Sequence, residues 1–253
     1  MTFNSAAEKR RYVNAMFARI ARRYDLMNRM MTGGQDVRWR RWMVRAAALS
    51  PGGRFLDVAT GTGDVAFEVR CQQSSPALLE TAGQALVVGV DFTLPMLRVG
   101  QARAAGRPVH WTAGDTLCLP FPDDTFDAVA SGFLMRNVTD PAAALAEQRR
   151  VARPGGRVLV LDVPRPPDSL FGRLFRLYFY QVVPRLGRLV SGQPDAYTYL
   201  PRSADAFLRP DELVAVMESV GLRDVHYQML MLGTVALHVG TKEIRESGLS
   251  PDP

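Results

Sequence analysis

Leu56-Asp57-Val58-Ala59-Thr60-Gly61-Thr62-Gly63-Asp64, LDVATGTGD, is an apolar run that ends in a glycine turn and continues into a helical stretch. Pro51-Gly52-Gly53 precedes it, so residues 54–58 are bounded on both sides by turn formers, as a buried parallel strand would be. Glycines in such a turn let backbone approach a ligand closely, and the following helix N-terminus presents unpaired N–H donors. A nucleotide-like ligand fits there. A lone G-x-G turn is also built for purely structural reasons, so its neighbours must decide.

Outward from this unit, apolar runs recur at residues 85–91, 108–113, 126–131 and 157–163. Helical patterns over 64–70, 95–105 and 141–153 fall between them, the last closed by Pro154-Gly155-Gly156. This alternation predicts an α/β fold with a doubly wound, mainly parallel sheet. Two helical stretches, 6–31 and 36–49, come first, separated by Thr32-Gly33-Gly34. Beyond the fifth strand, residues 168–190 read as a long aromatic, arginine-bearing lid interrupted at Pro184. Residues 191–201 read as polar and turn-rich, 210–220 as a helix, and 224–232 with 234–240 as an antiparallel hairpin near Gly233. Residues 71–83 look like an irregular insertion and 247–253 like a frayed tail. The expected layout is one domain over 1–253: N-terminal helices 1–50, a cofactor-binding core 51–163, a lid 164–208, a C-terminal helix and hairpin 209–242, and a tail 243–253.

A chain of 253 residues with 47% hydrophobic and 22% charged residues has the composition of a folded globular protein and excludes a wholly disordered one. Its formal charge of +6 is arginine-rich, which suits solvated helix faces, an anionic membrane surface or a negatively charged substrate. No appended RNA-binding pattern appears, so nucleic acid is not an expected partner. Cys71 and Cys118 form neither a disulfide framework nor a zinc spacing, and His110, His226 and His238 have no metal spacing. No run of 18 apolar residues and no signal-like N-terminus appears, which predicts a cytoplasmic chain.

The identity of the ligand turns on small features. Asp64 puts a carboxylate where a dinucleotide would place pyrophosphate, which disfavours phosphate and suits a cation. S-adenosylmethionine, with a sulfonium, an ammonium and no phosphate, is such a ligand. Asp91, followed by Phe92, ends the second strand where an acid can accept both ribose hydroxyls. Asp115 with Thr116 follows the third strand, near where an adenine amino group would lie.

These pieces carry a resemblance. Phe17-Ala-Arg-Ile-Ala-Arg-Arg-Tyr-Asp-Leu-Met-Asn28, LDVATGTGD, Leu119-Pro-Phe-Pro-Asp-Asp-Thr-Phe-Asp127, Arg136-Asn-Val-Thr-Asp140, Arg153-Pro-Gly-Gly-Arg157 and Tyr197-Thr-Tyr-Leu-Pro201 resemble the ubiquinone/menaquinone biosynthesis C-methyltransferase family. The resemblance extends over nearly the whole chain. It implies a class I methyltransferase (Rossmann-like) fold and methyl transfer from S-adenosyl-L-methionine to a ring carbon of a lipid-soluble, polyprenylated quinol, with demethylmenaquinol the leading acceptor. Cofactor contacts are then expected at Asp57, Gly61, Thr62, Gly63, Asp91, Phe92, Asp115, Thr116 and Gly132. Gly132 stands where a small or hydroxyl residue is usual, and Asp162-Val163-Pro164 where Glu-Phe-Ser is usual.

Carbon methylation needs a nucleophilic ring carbon, which a quinol supplies on losing a phenolic proton and a quinone does not. Arg136 stays protonated, so it is expected to stabilise the phenolate or position a water, with Asn137 orienting a ring oxygen and Tyr24 bonding from the other side. The competing structural roles are that Arg136 pairs with a surface acid and Asn137 caps the next helix. Phe171, Phe175, Tyr178 and Phe179, with Met30 and Met31, are either core or the lining of an isoprenoid channel, beside arginines that touch an anionic membrane at its inner face. A homodimer, another small aromatic or lipid acceptor, and a non-catalytic scaffold of a quinone pathway complex remain open alternatives.

Overall fold

The computed structural model describes residues 3–73 and 84–244. A seven-stranded sheet runs in the order β3-β2-β1-β4-β5-β7-β6. Strands β1 (Arg54–Val58), β2 (Leu86–Asp91), β3 (His110–Ala113), β4 (Phe126–Gly132) and β5 (Ala152–Asp162) are parallel. Strands β6 (Leu222–Leu230) and β7 (Val235–Lys242) form the antiparallel hairpin, and β7 pairs antiparallel to β5. The strand order reverses at β1, between β2 and β4, and a ligand crevice belongs outside the carboxyl ends at that point.

Helices α4 (Asp64–Gln72), α5 (Leu94–Arg103) and α6 (Pro141–Val151) follow β1, β2 and β4. The start of α6 is set by the Asp140 side chain, which accepts the Ala143 N–H at 2.9 Å, with Pro141 in the first turn. Asp140, not Asn137, therefore caps this helix. The Pro-Gly-Gly stretch at 154–156 does not close α6 but lies within β5, where the β4 pairing skips from Ala152 to Arg157. Glycine is required there because a Cβ on Gly156 would meet the Arg153 carbonyl oxygen at 2.8 Å, so the strand bulges where a helix stop was expected.

Two buried apolar clusters pack against the sheet. One includes Leu56, Phe126, Leu145 and Met217, the other Trp39, Met43, Phe55 and Leu159. A third joins the N-terminal helices α1 (Ala6–Ile20) and α2 (Tyr24–Thr32) to the lid through Met16, Ile20, Met27, Phe179, Val183 and Tyr199. The remaining N-terminal helix is α3 (Gln35–Ala46).

The lid runs through α7 (Leu170–Leu177), a wider π turn over Tyr178–Val182 and α8 (Val183–Ser191), with Pro184 in the first turn of α8. What read as a polar turn region is instead helix α9 (Pro194–Asp205), which contains Pro201. Ala196, Tyr197, Tyr199 and Ala204 are buried in the third cluster, so apolar burial overrides the turn-forming composition. Helix α10 (Pro210–Ser219) precedes the hairpin. His238 on β7 is buried, and its Nε2 lies 3.1 Å from the Pro210 carbonyl, which is a structural role. Of the expected insertion, residues 71 and 72 close α4, and residues 74–83 lie outside the described part, as do residues 245–253 of the expected tail.

Candidate active site

A cavity of about 160 Å³ sits at the carboxyl ends of the strands. Its floor comes from Asp57, Gly61, Thr62, Asp91, Thr116 and Gly132, and its roof from Arg10, Val13, Asn14 and Phe17 of α1 and Tyr24 and Asp25 of α2. Asp91 is buried at the end of β2. One of its oxygens accepts the Gly61 N–H and the other the Thr93 N–H, each at 2.7 Å. Burial pushes its carboxyl pKa up, and those N–H groups pull it back. Asp57 is deeper still: it accepts from Thr60 Oγ1 at 2.6 Å and the Ala66 N–H at 3.1 Å, and burial pushes its pKa up to about 7.

Asp115 lines the cavity and pairs with Arg10 at 2.9 Å, and the same guanidinium lies over the Phe92 ring, 5.6 Å from its centroid. The Thr116 hydroxyl is buried without a protein partner. At Gly61 an added Cβ would meet nothing within 4 Å, and at Gly132 only Val65 Cγ2 at 3.8 Å, so backbone is open to the cavity at both. Gly63 stands apart. Its φ is +89° and its missing Cβ would strike Trp111 at 2.4 Å, so it shapes the turn from behind and does not line the cavity.

The charge argument at Asp64 changes with the structure. Asp64 is compensated by Arg103 at 2.7 Å and Arg40 at 2.8 Å, and Arg40 also bonds Asp36 at 2.7 Å. Asp25 joins this ring, accepting from Thr62 Oγ1 at 2.5 Å and pairing with Arg103 at 2.7 Å. Burial and the neighbouring Asp64 raise its pKa. Sequence reasoning missed Asp25 although it adjoins Tyr24 in the YDLMN stretch, because its partner Thr62 is remote in the chain.

A second, more apolar cavity of about 80 Å³ adjoins the first and shares Phe17, Tyr24, Phe133 and Asn137 with it. Phe175, Tyr178, Phe179 and Met31 line it, as a channel reading expects, whereas Phe171 does not and Met30 is exposed. Arg136 opens to this second cavity and not the first. Its guanidinium is paired with Asp162 at the end of β5, both buried, and Asp162 also accepts the Arg136 N–H at 3.2 Å and the Val163 N–H at 2.8 Å.

Polar atoms around this cavity that are buried without protein partners include Arg136 Nε, Asn137 Oδ1 and the Tyr199 hydroxyl. Asn137 is held by its other end, with Nδ2 donating to the Phe133 carbonyl at 2.9 Å. Burial raises the Tyr24 phenol pKa against the Asn28 amide and the Arg136 charge, and pushes Tyr199 up to about 12 against the Arg136 charge. Phe133, at the junction, adopts φ +59°, a left-handed conformation that a bulky side chain rarely takes and that concentrates at working sites.

A crevice at the strand reversal, floored by a glycine turn and an acidic strand end, on a sheet closed by an antiparallel hairpin, is the arrangement of class I methyltransferases. Solved structures agree on the fold. A possible histamine N-methyltransferase from Thermotoga maritima superposes with TM-score 0.61 at 19% identity, covering 90% of this chain and 100% of that one. The [4+2]-cyclase SpnF superposes with TM-score 0.64 at 14% identity, covering 92% and 95%.

The sequence places the chain more narrowly. It belongs to the ubiE/COQ5 methyltransferase family, whose model matches residues 4–242. A demethylmenaquinone methyltransferase of Roseiflexus castenholzii is 48% identical over 93% of this chain and 95% of its own length. One of Thermus thermophilus is 46% identical over 90% and 100%. The ubiquinone/menaquinone biosynthesis C-methyltransferase UbiE of Desulfotalea psychrophila is 42% identical over 91% and 90%.

Proposed function

We propose that this methyltransferase uses S-adenosylmethionine to methylate a ring carbon of a polyprenylated quinol, demethylmenaquinol giving menaquinol. The observation that carries the reading is the pair of adjoining cavities, one acidic and glycine-floored, the other apolar with unpartnered polar atoms. The names of the relatives from Roseiflexus castenholzii and Thermus thermophilus support the acceptor.

The first cavity fits the cofactor. Asp91 would take the ribose hydroxyls, Thr116 and Asp115 the adenine, and the open backbone at Gly61 permits close approach. When bound, S-adenosylmethionine supplies an electrophilic methyl group on a sulfonium. The chain must then present a nucleophilic carbon to it and hold the approach in line.

Phe17, Tyr24, Phe133 and Asn137 stand where the cavities meet, so the acceptor ring belongs there and its tail among Phe175, Phe179 and Met31. Asn137 Oδ1 accepts a ring hydroxyl. The Arg136 Nε–H and positive charge stabilise the phenolate oxygen that develops as a water takes the phenolic proton, which places negative charge on the adjacent carbon. Arg136 does not remove that proton, since a guanidinium stays charged. Asp162 keeps the guanidinium in place.

The test is incubation of the protein with methyl-labelled S-adenosylmethionine and, separately, reduced demethylmenaquinol, a demethoxy-type benzoquinol and a tail-less catechol. Label is expected in the naphthoquinol. Label in the catechol alone, or none despite cofactor binding, overturns the acceptor; absence of cofactor binding overturns the whole reading.

A further inference from the structure

The lid presents an apolar face to solvent that its inward packing does not use. On α7, Leu170, Leu174 and Leu177 are 75%, 56% and 60% exposed, at spacings that place them along one side of the helix. The inward side of the same segment holds Phe175 and Phe179 in the third cluster. A helix that is apolar on two opposite sides has a second apolar neighbour or medium.

The turn between β6 and β7 adds to this face. Leu232 is 76% exposed, and both it and Met231 hold positive φ, 53° and 46°, a strained conformation for bulky residues. Gly233 follows, its missing Cβ 3.7 Å from Pro167 just ahead of α7, so the tip lies against the start of the lid. Met231 and, on α7, Phe175 also line the second cavity, which places the exposed leucines beside its wall.

Charge selects among apolar partners. Residues 168–191 carry four arginines and one carboxylate, Asp168. Arg176 is paired with Asp168 at 3.2 Å, while the Arg173 guanidinium, between the exposed leucines, pairs with no carboxylate among the described residues. Leucines flanking the unpaired Arg173 match an interfacial helix that buries its apolar side among acyl chains and sets its cation among anionic headgroups. No helix among the described residues is long and apolar enough to cross a membrane, so the contact would be peripheral.

We propose that α7 and the Met231–Leu232 tip form a docking face for an anionic phospholipid bilayer. The location of the face beside the acceptor cavity is explained by the proposed lipid quinol, but the docking itself is independent of any acceptor.

The test is sedimentation of the full chain with quinol-free vesicles of phosphatidylcholine alone or mixed equally with phosphatidylglycerol. Binding is expected to the anionic vesicles, weakened by salt. The combined variant Leu170→Ser, Leu174→Ser, Leu232→Ser is expected to lose on the order of a thousandfold in partitioning, at roughly tenfold per leucine, with cofactor affinity and circular dichroism unchanged. Arg173→Glu, which leaves the leucines in place, is expected to lower only the anionic component. Wild-type protein that ignores both vesicle types, triple-variant binding equal to wild type, or a wild-type dimer that the leucine substitutions dissociate overturns the proposal. Vesicle binding without methyl transfer would leave docking standing and remove the quinol reading; transfer without vesicle binding would do the reverse.

Discussion

Arg136, in the loop after β4, and Asp162, at the end of β5, form an ion pair that is almost wholly buried, with side chains 5% and 2% exposed. Taking both charges out of water is costly, and the pair is tolerated because Asp162 also satisfies the Arg136 and Val163 backbone N–H groups. The departure from a Glu-Phe-Ser pattern at 162–164 therefore keeps a carboxylate where the arginine needs one.

Removing one partner strands the other. Asp162→Ala is predicted to cost about 3–5 kcal/mol of stability, read by denaturant unfolding, and to abolish turnover. Replacing both, Arg136→Met with Asp162→Leu, should regain most of that stability and none of the turnover. Recovery of activity in the double variant would show that the pair serves folding alone.

Asp57 predicts a pH dependence. Its pKa is raised from 3.8 to about 7 by burial, so the folded chain holds a proton that the unfolded chain has released. Its contribution is fully present below pH 4 or so and is lost as pH rises through about 7, a change on the order of a few kcal/mol. Asp57→Asn retains an oxygen acceptor for Thr60 and Ala66 and should flatten this part of the profile, so wild type and variant diverge between about pH 4 and 7. Parallel profiles would contradict the buried, protonated assignment.

Gly132 is predicted to accept a side chain. Its backbone is not left-handed, and an added Cβ would contact only Val65 at 3.8 Å. Gly132→Ser should leave the melting temperature within a few degrees and hold or tighten cofactor affinity by calorimetry. A large loss of affinity would mean that cofactor occupies that space.

Gly63 is predicted to behave oppositely. Gly63→Ala forces a left-handed alanine and a 2.4 Å approach to Trp111, for an expected cost of about 1–3 kcal/mol. Cofactor affinity should fall with it, because the turn carrying Gly61 and Thr62 must shift.

Much of this was legible in the chain. LDVATGTGD marks β1, the turn and α4, and the acids at 91 and 115 fall at the cavity as their strand-end positions require. What failed to show were contacts made across the fold. Asp25 meets Thr62 and Arg103, and Arg10 meets Asp115, and nothing local in the sequence pairs them. Helix α9 was hidden for a related reason: Ser, Gly, Gln, Pro and Asp suggest turns, and only burial of Tyr197 and Tyr199 against the N-terminal helices makes the segment helical. The role of Phe133 is legible only from its φ and its place between two cavities.

The most direct measurement is the position of the label after a single turnover with methyl-labelled S-adenosylmethionine, comparing reduced demethylmenaquinol with its oxidised quinone. The account predicts a new carbon–carbon bond on the ring of the reduced acceptor and no transfer to the quinone. Label on oxygen, or equal transfer to both redox forms, would contradict it.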